Sequence, residues 1–391
     1  MYPNLGYLLE DLFNTKLTGG FSVFFALQSF GFMMAMAFLA AAWTLYLELK
    51  RKENQQLLKP APRKVVVGKP ASISDLVTNG VVGFLLGFKL IAIIFDLNSF
   101  TDNPQQFILS LQGNLFGGIA LAALFVYLKY REKEKERLPK PEEKTILVWP
   151  RQMVGDITIV AAVSGLLGAK FFDNLEHLDE FFKDPIGAIF SFSGLAFYGG
   201  LIFGAAGCLY YCYRQKLPLL PMLDAAAPGL ILAYGVGRIG CHVAGDGDWG
   251  IDNLSAKPSW FIFPDWAWSF NYAHNVNQTG IPIPGCEGKY CYMLENPVFP
   301  TALYEIVASL LIFGFLWSIR KKITIPGIVF SLYLVLGGIE RFLIEMIRID
   351  IKYHFAGITL TQAQIIAIAM ILTGTAAIIY LRNGRGKERK T

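Results

Sequence analysis

Nine apolar stretches, each close to the ~20 residues that a bilayer crossing requires, divide this chain at about 21–48, 76–97, 106–130, 153–173, 186–213, 219–243, 299–319, 325–347 and 359–382. Within lipid the backbone must satisfy its own N–H and C=O groups, and a spanning segment of this length does so as a helix. Of the 391 residues, 54% are hydrophobic and only 17% charged, and mean hydropathy is +0.43. That is far from the usage of soluble domains. The expected fold is an all-α polytopic membrane protein with about nine transmembrane helices. The first residues, "MYPNLGYLLEDLF", carry neither a basic leader nor a small-residue cleavage site, so the first span is expected to be retained.

Basic loops stay on the cytoplasmic side. "ELKRKENQQLLKPAPRKVVVGK", "KYREKEKERLPKPEEK", "YRQK", "RKK" and "RNGRGKERK" are basic, and they alternate with the acidic "DLNSFTDNP" and "DNLEHLDEFFKDP". The pattern predicts the N-terminus outside, the C-terminus in the cytoplasm, and residues 245–298 outside as a small extracytoplasmic cap. The net charge of +5 is then a property of the inner loops. It fits contact with anionic lipid and gives no reason to invoke nucleic acid.

A two-helix unit is duplicated. Residues 75–131 run parallel to 156–214, with Lys89 matching Lys170, Gly113 matching Gly194, and Gly117-Gly118 matching Gly199-Gly200 after a one-residue slip. A transporter built on parallel repeats is disfavoured, because the unit holds only two helices and does not cover the chain.

The 245–298 segment holds four of the seven tryptophans, Trp249, Trp260, Trp266 and Trp268. It reads either as a cap lying on the outer leaflet, where amphipathic rings gather, or as a tightly packed loop domain with a tryptophan core. Cys286 and Cys291 sit where oxidation is possible, and the sequence leaves a disulfide open. No second Cys or His pair follows at ligand spacing, so no metal is expected. Cys208 and Cys212, one turn apart in a span, read as small packing residues.

Ionisable residues inside spans each cost roughly 2.5–3.5 kcal/mol at a helix centre and need a partner or a task. Arg238, in "YGVGRIGCHVAGDGDWG", is one. Arg341, Glu345 and Arg348 form another group, spaced i, i+4 and i+7 so that one helix face carries all three, with Glu340 off that face. Arg341 and Glu345 could be an internal ion pair that fixes helix packing, and Arg238 could snorkel to the headgroups. Two arginines near the outer ends of their spans also suit a shared site for an anionic lipid headgroup, because a guanidinium grips phosphate with two parallel hydrogen bonds and stays charged. "SGLAFYGGL" sets Tyr198 beside Gly199 and Gly200, where small residues permit close approach. "NPVFPTALYE" puts Pro300 in a first turn and Tyr304 and Glu305 inside a span. Both tyrosines could equally be interfacial belt residues.

The succession "FYGG", "DAAAPGLILAYGVGRIG", "GDGDWG", "FPTALYE", "ERFLIEMIR" and "LTQAQIIAIAMILTG" resembles the prolipoprotein diacylglyceryl transferase family, and "LQSFGFMM" in the first span matches loosely. The resemblance covers residues 21–48 and about 153–382, leaving the extra two-helix unit over and turning the family's seven spans into nine. It implies an enzyme of the bacterial cytoplasmic (inner) membrane that moves a diacylglyceryl group from phosphatidylglycerol to the lipobox cysteine thiol of exported prolipoproteins, with no cofactor. Its partners would be phosphatidylglycerol and other anionic lipids, and prolipoprotein signal peptides carrying a lipobox.

By the same resemblance Arg238 and Arg341 are headgroup-binding and catalytic arginines, Glu345 is the partner of the second, and Gly245 and Asp246 follow the first in the signature. Gly199, Gly200, Gly237, Tyr304 and Arg348 are expected to line the substrate site. The sequence departs from the family where histidine would stand at Tyr198, tyrosine at Phe30, asparagine at Cys241 and Ala244, and where "FPTALYE" carries Phe299 and Ala302. Transfer needs a thiolate and a stabilised leaving phosphate. His242, four residues from Arg238 on the same face if the helix continues, is a candidate replacement base, whereas Tyr198 would be a hydrogen-bond donor. The rival reading is a non-catalytic paralogue that keeps the lipid site and acts as a scaffold or partner of an envelope complex.

The expected organisation is a first span within residues 1–48, a basic cytoplasmic loop 49–74, the extra two-helix unit 75–131, a charged linker 132–152, transferase-like core helices 153–244, the cap 245–298, and C-terminal helices with a basic tail 299–391. The duplicate lacks a counterpart of Tyr198 and is expected to pack outside the site.

Overall fold

A computed structural model describes residues 1–97, 100, 107, 108, 110–190, 196–349, 352–355 and 358–388. Gly194 and most of the acidic loop 96–104, both used in the sequence reading, lie outside the described residues. The chain is mostly helical and divides into two compact units.

One unit comprises Asn4–Leu27 and Pro60–Val148. Helix α1 (Leu5–Phe13) is capped by Asn4, whose side chain accepts from the Tyr7 N–H at 3.2 Å. Strand β1 (Ala61–Val67) pairs antiparallel with β2 (Glu142–Val148), from Ala61 opposite Val148 to Val67 opposite Glu142. Between the strands lie α3 (Ile73–Phe95) and α4 (Leu115–Lys135). Ser72 and Asp75 form a capping box at the start of α3, and the Asn114 side chain accepts from the Gly117 N–H at the start of α4. The two helices meet through glycine: a Cβ on Gly87 would lie 2.2 Å from the Gly117 carbonyl oxygen. Lys89, a cation in an apolar helix, is satisfied by donating to the carbonyls of Phe107, Ser110 and Gln112 at 2.7, 2.6 and 2.7 Å.

The second unit comprises Met1–Pro3, Gln28–Lys59 and Trp149–Thr391. Its helices are α2 (Ser29–Asn54), α5 (Val154–Glu176), α6 (Phe197–Arg214), α7 (Leu219–Ala244), α8 (Thr301–Ile319), α9 (Ile328–Glu345) and α10 (Gln362–Glu388). Helix α7 is the hub and packs against α2, α8 and α9. Ala227 and Ile231 of α7 form a buried cluster with Leu316 of α8 and Val329 of α9, while Tyr333 and Leu336 of α9 pack against it. At the opposite end from Arg238, the Asp224 carboxylate accepts the N–H groups of Gly327 and Phe330 at 2.7 and 2.9 Å and so caps α9. Glu48 of α2, almost fully buried, accepts from Arg51 and, at 2.9 Å, from Arg320 Nε.

Helices α5 and α6 repeat the geometry of α3 and α4. Gly168 faces the Gly199 carbonyl, where a Cβ would come within 2.4 Å, as Gly87 faces Gly117. The Ala196 N–H donates to the Ala169 carbonyl at 3.1 Å as the Asn114 N–H donates to that of Phe88 at 2.8 Å. The duplication in the sequence is therefore a duplicated helix pair. Lys170 lies 3.5 Å from Asp173.

Among the described residues, six helices are long and apolar enough to cross a membrane: Ser29–Asn54, Ile73–Phe95, Pro150–Glu176, Leu219–Ala244, Thr301–Ile319 and Gln362–Asn383. Three of the nine stretches read as spans fall short by this measure for physical reasons. Helix α4 becomes charged over its last two turns, α6 is diluted by glycine and tyrosine, and α9 carries Glu340, Arg341 and Glu345.

Residues 245–298 form an irregular folded segment with a small core of Trp249, Tyr272, Leu294 and Val298. Only one of its four tryptophans is in that core; Trp260 and Trp266 are exposed. Asn275, fully buried, donates to the carbonyls of Tyr272 and Thr279 and accepts the Thr279 N–H, holding the loop shut. Two short strands, β3 (Ile281–Pro282) and β4 (Tyr292–Met293), bracket a disulfide between Cys286 and Cys291.

Candidate functional site

The helix interior of α7 ends in a left-handed turn. Gly245 sits at φ 64° and Gly247 at φ 102°, conformations that favour glycine, and a Cβ on Gly245 would also press on Asn275. This turn reverses the chain so that Asp248 comes back against the last turns of α7, where its carboxylate meets the Arg238 guanidinium. Thr301, the first residue of α8, holds the turn from the other side, its hydroxyl donating to the Asp248 carbonyl at 2.8 Å.

Glu305 is the centre of the arrangement. It projects from the second turn of α8, fully buried; its carboxylate is ion-paired with Arg238 Nε at 3.1 Å, accepts from the Arg341 Nη1 at 3.0 Å and the Tyr234 hydroxyl at 2.7 Å, and has Arg348 Nη1 at 3.8 Å. Arg238 lies over the Tyr234 ring, 5.1 Å from its centroid, one turn earlier on α7. Arg341 Nη2 lies 3.1 Å from Glu345. Arg348 Nη2 donates to Asp248 at 2.5 Å. Three arginines from two helices and a turn are thus interleaved with Glu305, Glu345 and Asp248. Each acid would be costly to bury alone and is tolerable here because it is ion-paired.

The i, i+4, i+7 expectation for Arg341, Glu345 and Arg348 is corrected in its last member. Helix α9 ends at Glu345, and Arg348 lies past a turn, its backbone bridged to Gly250. It reaches the cluster through Asp248, across the chain, and not as the next residue on a helix face.

The other residues singled out in the sequence lie as follows. A Cβ on Gly237 would meet nothing within 4 Å, so the face of α7 at Gly237 itself is open. The Tyr304 hydroxyl donates to the Ala267 carbonyl at 2.8 Å and anchors the 245–298 segment to α8. Asp246 Oδ1 accepts the Asp248 N–H at 3.3 Å. His242 shares the continuing helix with Arg238, yet its Nδ1 lies 3.1 Å from the Tyr272 hydroxyl and its ring packs near Phe270, in the core of the loop segment. Gly199 and Gly200 face α5, and Tyr198 is edge-on to Phe197 at 5.6 Å. The arginine cluster therefore gathers Arg238, Arg341, Glu345 and Arg348.

Sequence reasoning left Tyr234, Asp248 and Glu305 out of the site. Glu305 had a usable signal, a carboxylate within an apolar span. Its role as hub depends on three helices meeting, which no local spacing reveals.

The electrostatics of the turn follow from its neighbours. Burial would raise the Asp248 carboxyl, but Arg238 and Arg348 outweigh it and hold it below the usual carboxylate range. Asp246 has no such arginine contact; burial and the adjacent Asp248 push it above that range. Burial likewise pushes the Tyr272 phenol up. Cys241, Asp246 and Asp248 bring one donor atom each within 4.8 Å of one another. With Asp248 spent on two arginines, only two donors remain, fewer than a protein metal site needs.

An array of fixed guanidinium groups oriented by buried acids is chemically an anion cradle. It can hold a phosphate and stabilise negative charge leaving with it.

Comparison with known proteins gives the cradle a family. The prolipoprotein diacylglyceryl transferase family matches residues 135–380, which carry α5 to α9, most of α10 and every member of the cluster; α3 and all but the last residue of α4 precede the match. A phosphatidylglycerol–prolipoprotein diacylglyceryl transferase of Corynebacterium efficiens is 31% identical over 242 residues, covering 61% of this chain and 70% of that protein. One of Streptococcus uberis is 29% identical over 279 residues, covering 69% of this chain and 89% of that protein. One of Bifidobacterium adolescentis is 28% identical over 247 residues. With its family match extending over more than half of its length, this chain belongs to the prolipoprotein diacylglyceryl transferase family.

Proposed function

We propose that this chain transfers a diacylglyceryl group from phosphatidylglycerol to prolipoproteins, with the Arg238–Glu305–Arg341 cluster as the site of transfer. The observation that carries the reading is the interleaving of three arginines with one fully buried carboxylate at the end of α7. A guanidinium has five N–H donors. Glu305 takes one edge of Arg238 and one of Arg341, orienting both and leaving donors for a phosphate. Arg341 is the most solvent-accessible of the three, at 22% of its side chain.

In this reading the lipobox cysteine sulfur bonds to the glyceryl carbon of the lipid, the bond from that carbon to the phosphate oxygen breaks, and glycerol phosphate leaves with the electron pair. Arg238 and Arg341 bind the phosphate and stabilise its growing charge. Glu345 and Asp248 set the guanidinium planes. Gly237, Gly245 and Asp246 shape the pocket wall, and Tyr304 and Arg348 hold the outer segment against it.

The same reading makes all nine apolar stretches transmembrane, with residues 245–298 an extracytoplasmic cap, the N-terminus outside and the C-terminus in the cytoplasm. Residues 75–131 are then an additional transmembrane helix pair in the inner membrane. The test is mass spectrometry of a lipobox peptide incubated with the purified protein and phosphatidylglycerol vesicles. A diacylglyceryl adduct that is lost in Arg238→Ala and in Arg341→Ala is expected. Lipid retained with no adduct from the unaltered protein would overturn transfer and leave a lipid-binding relative.

A further inference from the structure

A thiol attacks as its thiolate, so the cluster needs a group to take the proton. None of the four histidines is placed to do so from within it. His242 faces Tyr272, His274 Nδ1 lies 2.7 Å from the Tyr290 carbonyl, His177 Nδ1 lies 3.1 Å from that of Asp173, and His354 is 2.8 Å from the Thr359 hydroxyl. Among the acids, Glu305, Glu345 and Asp248 are each held by arginine, and Asp246 accepts a backbone N–H of its own turn.

Glu340 differs from Glu305, Glu345 and Asp248 in its ion pairing. Its side chain is 7% exposed, and its Oε1 is buried with no hydrogen-bond partner. No ion pair to it is formed among the described residues. It lies on the face of α9 that carries Tyr333 and Leu336, at i−7 and i−4, and these pack against the same buried cluster as Tyr234 of α7. From there it interacts electrostatically with Tyr234 and Arg238 of α7, Glu305 of α8, and Tyr333, Arg341 and Arg348 in or just beyond α9. Helix α10, also packed on α9, has no ionisable residue from Gln362 to Ile379. Three arginines balance Glu305, Glu345 and Asp248; of the two acids without an arginine of their own, Asp246 accepts a backbone N–H and Glu340 is the one inside a helix. Burying such a group is expensive unless it serves a purpose.

We propose that Glu340 is the general base of this chain, taking the proton of the substrate thiol. The inference rests on the transferase reading above. In the step, the S–H proton moves to the Glu340 carboxylate as the sulfur–carbon bond forms and the carbon–oxygen bond to phosphate breaks. The departing glycerol phosphate then takes that proton, and the carboxylate is restored. A carboxylate that forms no ion pair of its own is free to take a proton, as abstraction from a thiol demands.

The experiment measures adduct formation by purified wild type, Glu340→Gln and Glu340→Asp from pH 6.5 to 9.5, with phosphatidylglycerol retained by each protein as a check on the fold and the lipid site. Loss of a general base costs about 100-fold or more. Glu340→Gln should therefore keep its lipid and lose about 100-fold in rate at pH 7. The deficit should shrink as pH rises through the ordinary thiol value near 8.5, where thiolate forms without help, and Glu340→Asp should keep more activity than Glu340→Gln. A wild-type rate in Glu340→Gln, or a loss equally deep at every pH, would overturn the role of Glu340 while leaving the transferase reading intact. Lipid lost from both variants would make Glu340 structural and overturn the role as well. No adduct from the wild type would bring down the transferase reading, and this inference with it.

Discussion

Glu305 shows how one side chain can organise a site. It is fully buried and shared between Arg238, Arg341 and the Tyr234 hydroxyl. Breaking a buried pair on one side costs about 3–5 kcal/mol. Glu305→Gln should therefore lower the melting temperature in detergent sharply, and the same variant should release phosphatidylglycerol in a lipid-retention assay, because the guanidinium planes lose their reference. Asp246 allows a pH test. Its carboxyl is held above the usual range by burial and by Asp248, so the folded state carries a cost where the group is ionised, at and above neutral pH. That cost is absent below about pH 4, where an unfolded aspartate is also protonated. Asp246→Asn should therefore melt higher than wild type at pH 7.5, and the two curves should converge at low pH. Arg238, Arg341 and Glu345 were legible in the sequence because a charge in an apolar span is conspicuous. Tyr234 and Asp248 were not, since a tyrosine in a helix and an aspartate after one are ordinary until a third element gives them partners.

At the scale of elements, the helix pairs are set by glycine. The close approach of α5 and α6 leaves no room for a side chain between Gly168 and the Gly199 carbonyl. Overpacking of this kind costs about 1–3 kcal/mol, and Gly168→Val should reach the upper part of that range, read as a loss in detergent melting temperature. Gly237→Ala on α7, where a Cβ meets nothing, should leave the melting temperature unchanged and act, if at all, on phosphatidylglycerol retention. The glycine match between 75–131 and 156–214 was visible in the sequence, and the paired hydrogen bonds of Asn114 and Ala196 are its structural counterpart. The end of α9 was not visible. Periodicity carried the helix face on to Arg348, whereas the chain leaves the helix at Met346 and bridges to Gly250, a pairing made by residues about a hundred positions apart.

For the whole molecule, the charge pattern is the evidence for orientation. A reporter fused after Thr391 that works only in the cytoplasm should be active, and a cysteine placed at the exposed Leu254 should be labelled by a membrane-impermeant reagent added from outside; inactivity of the first with protection of the second would invert the topology. Hydropathy, the alternation of basic and acidic loops, the duplicated pair and the family are properties of local composition and order, and the sequence alone determined them. The pairing of Glu305 with arginines on two other helices, the return of Asp248 through a left-handed glycine turn and the isolation of Glu340 were decided only by the tertiary structure. Each depends on which distant side chains share one dry space, and in a low dielectric that proximity decides whether a charge is neutralised, oriented or left to act.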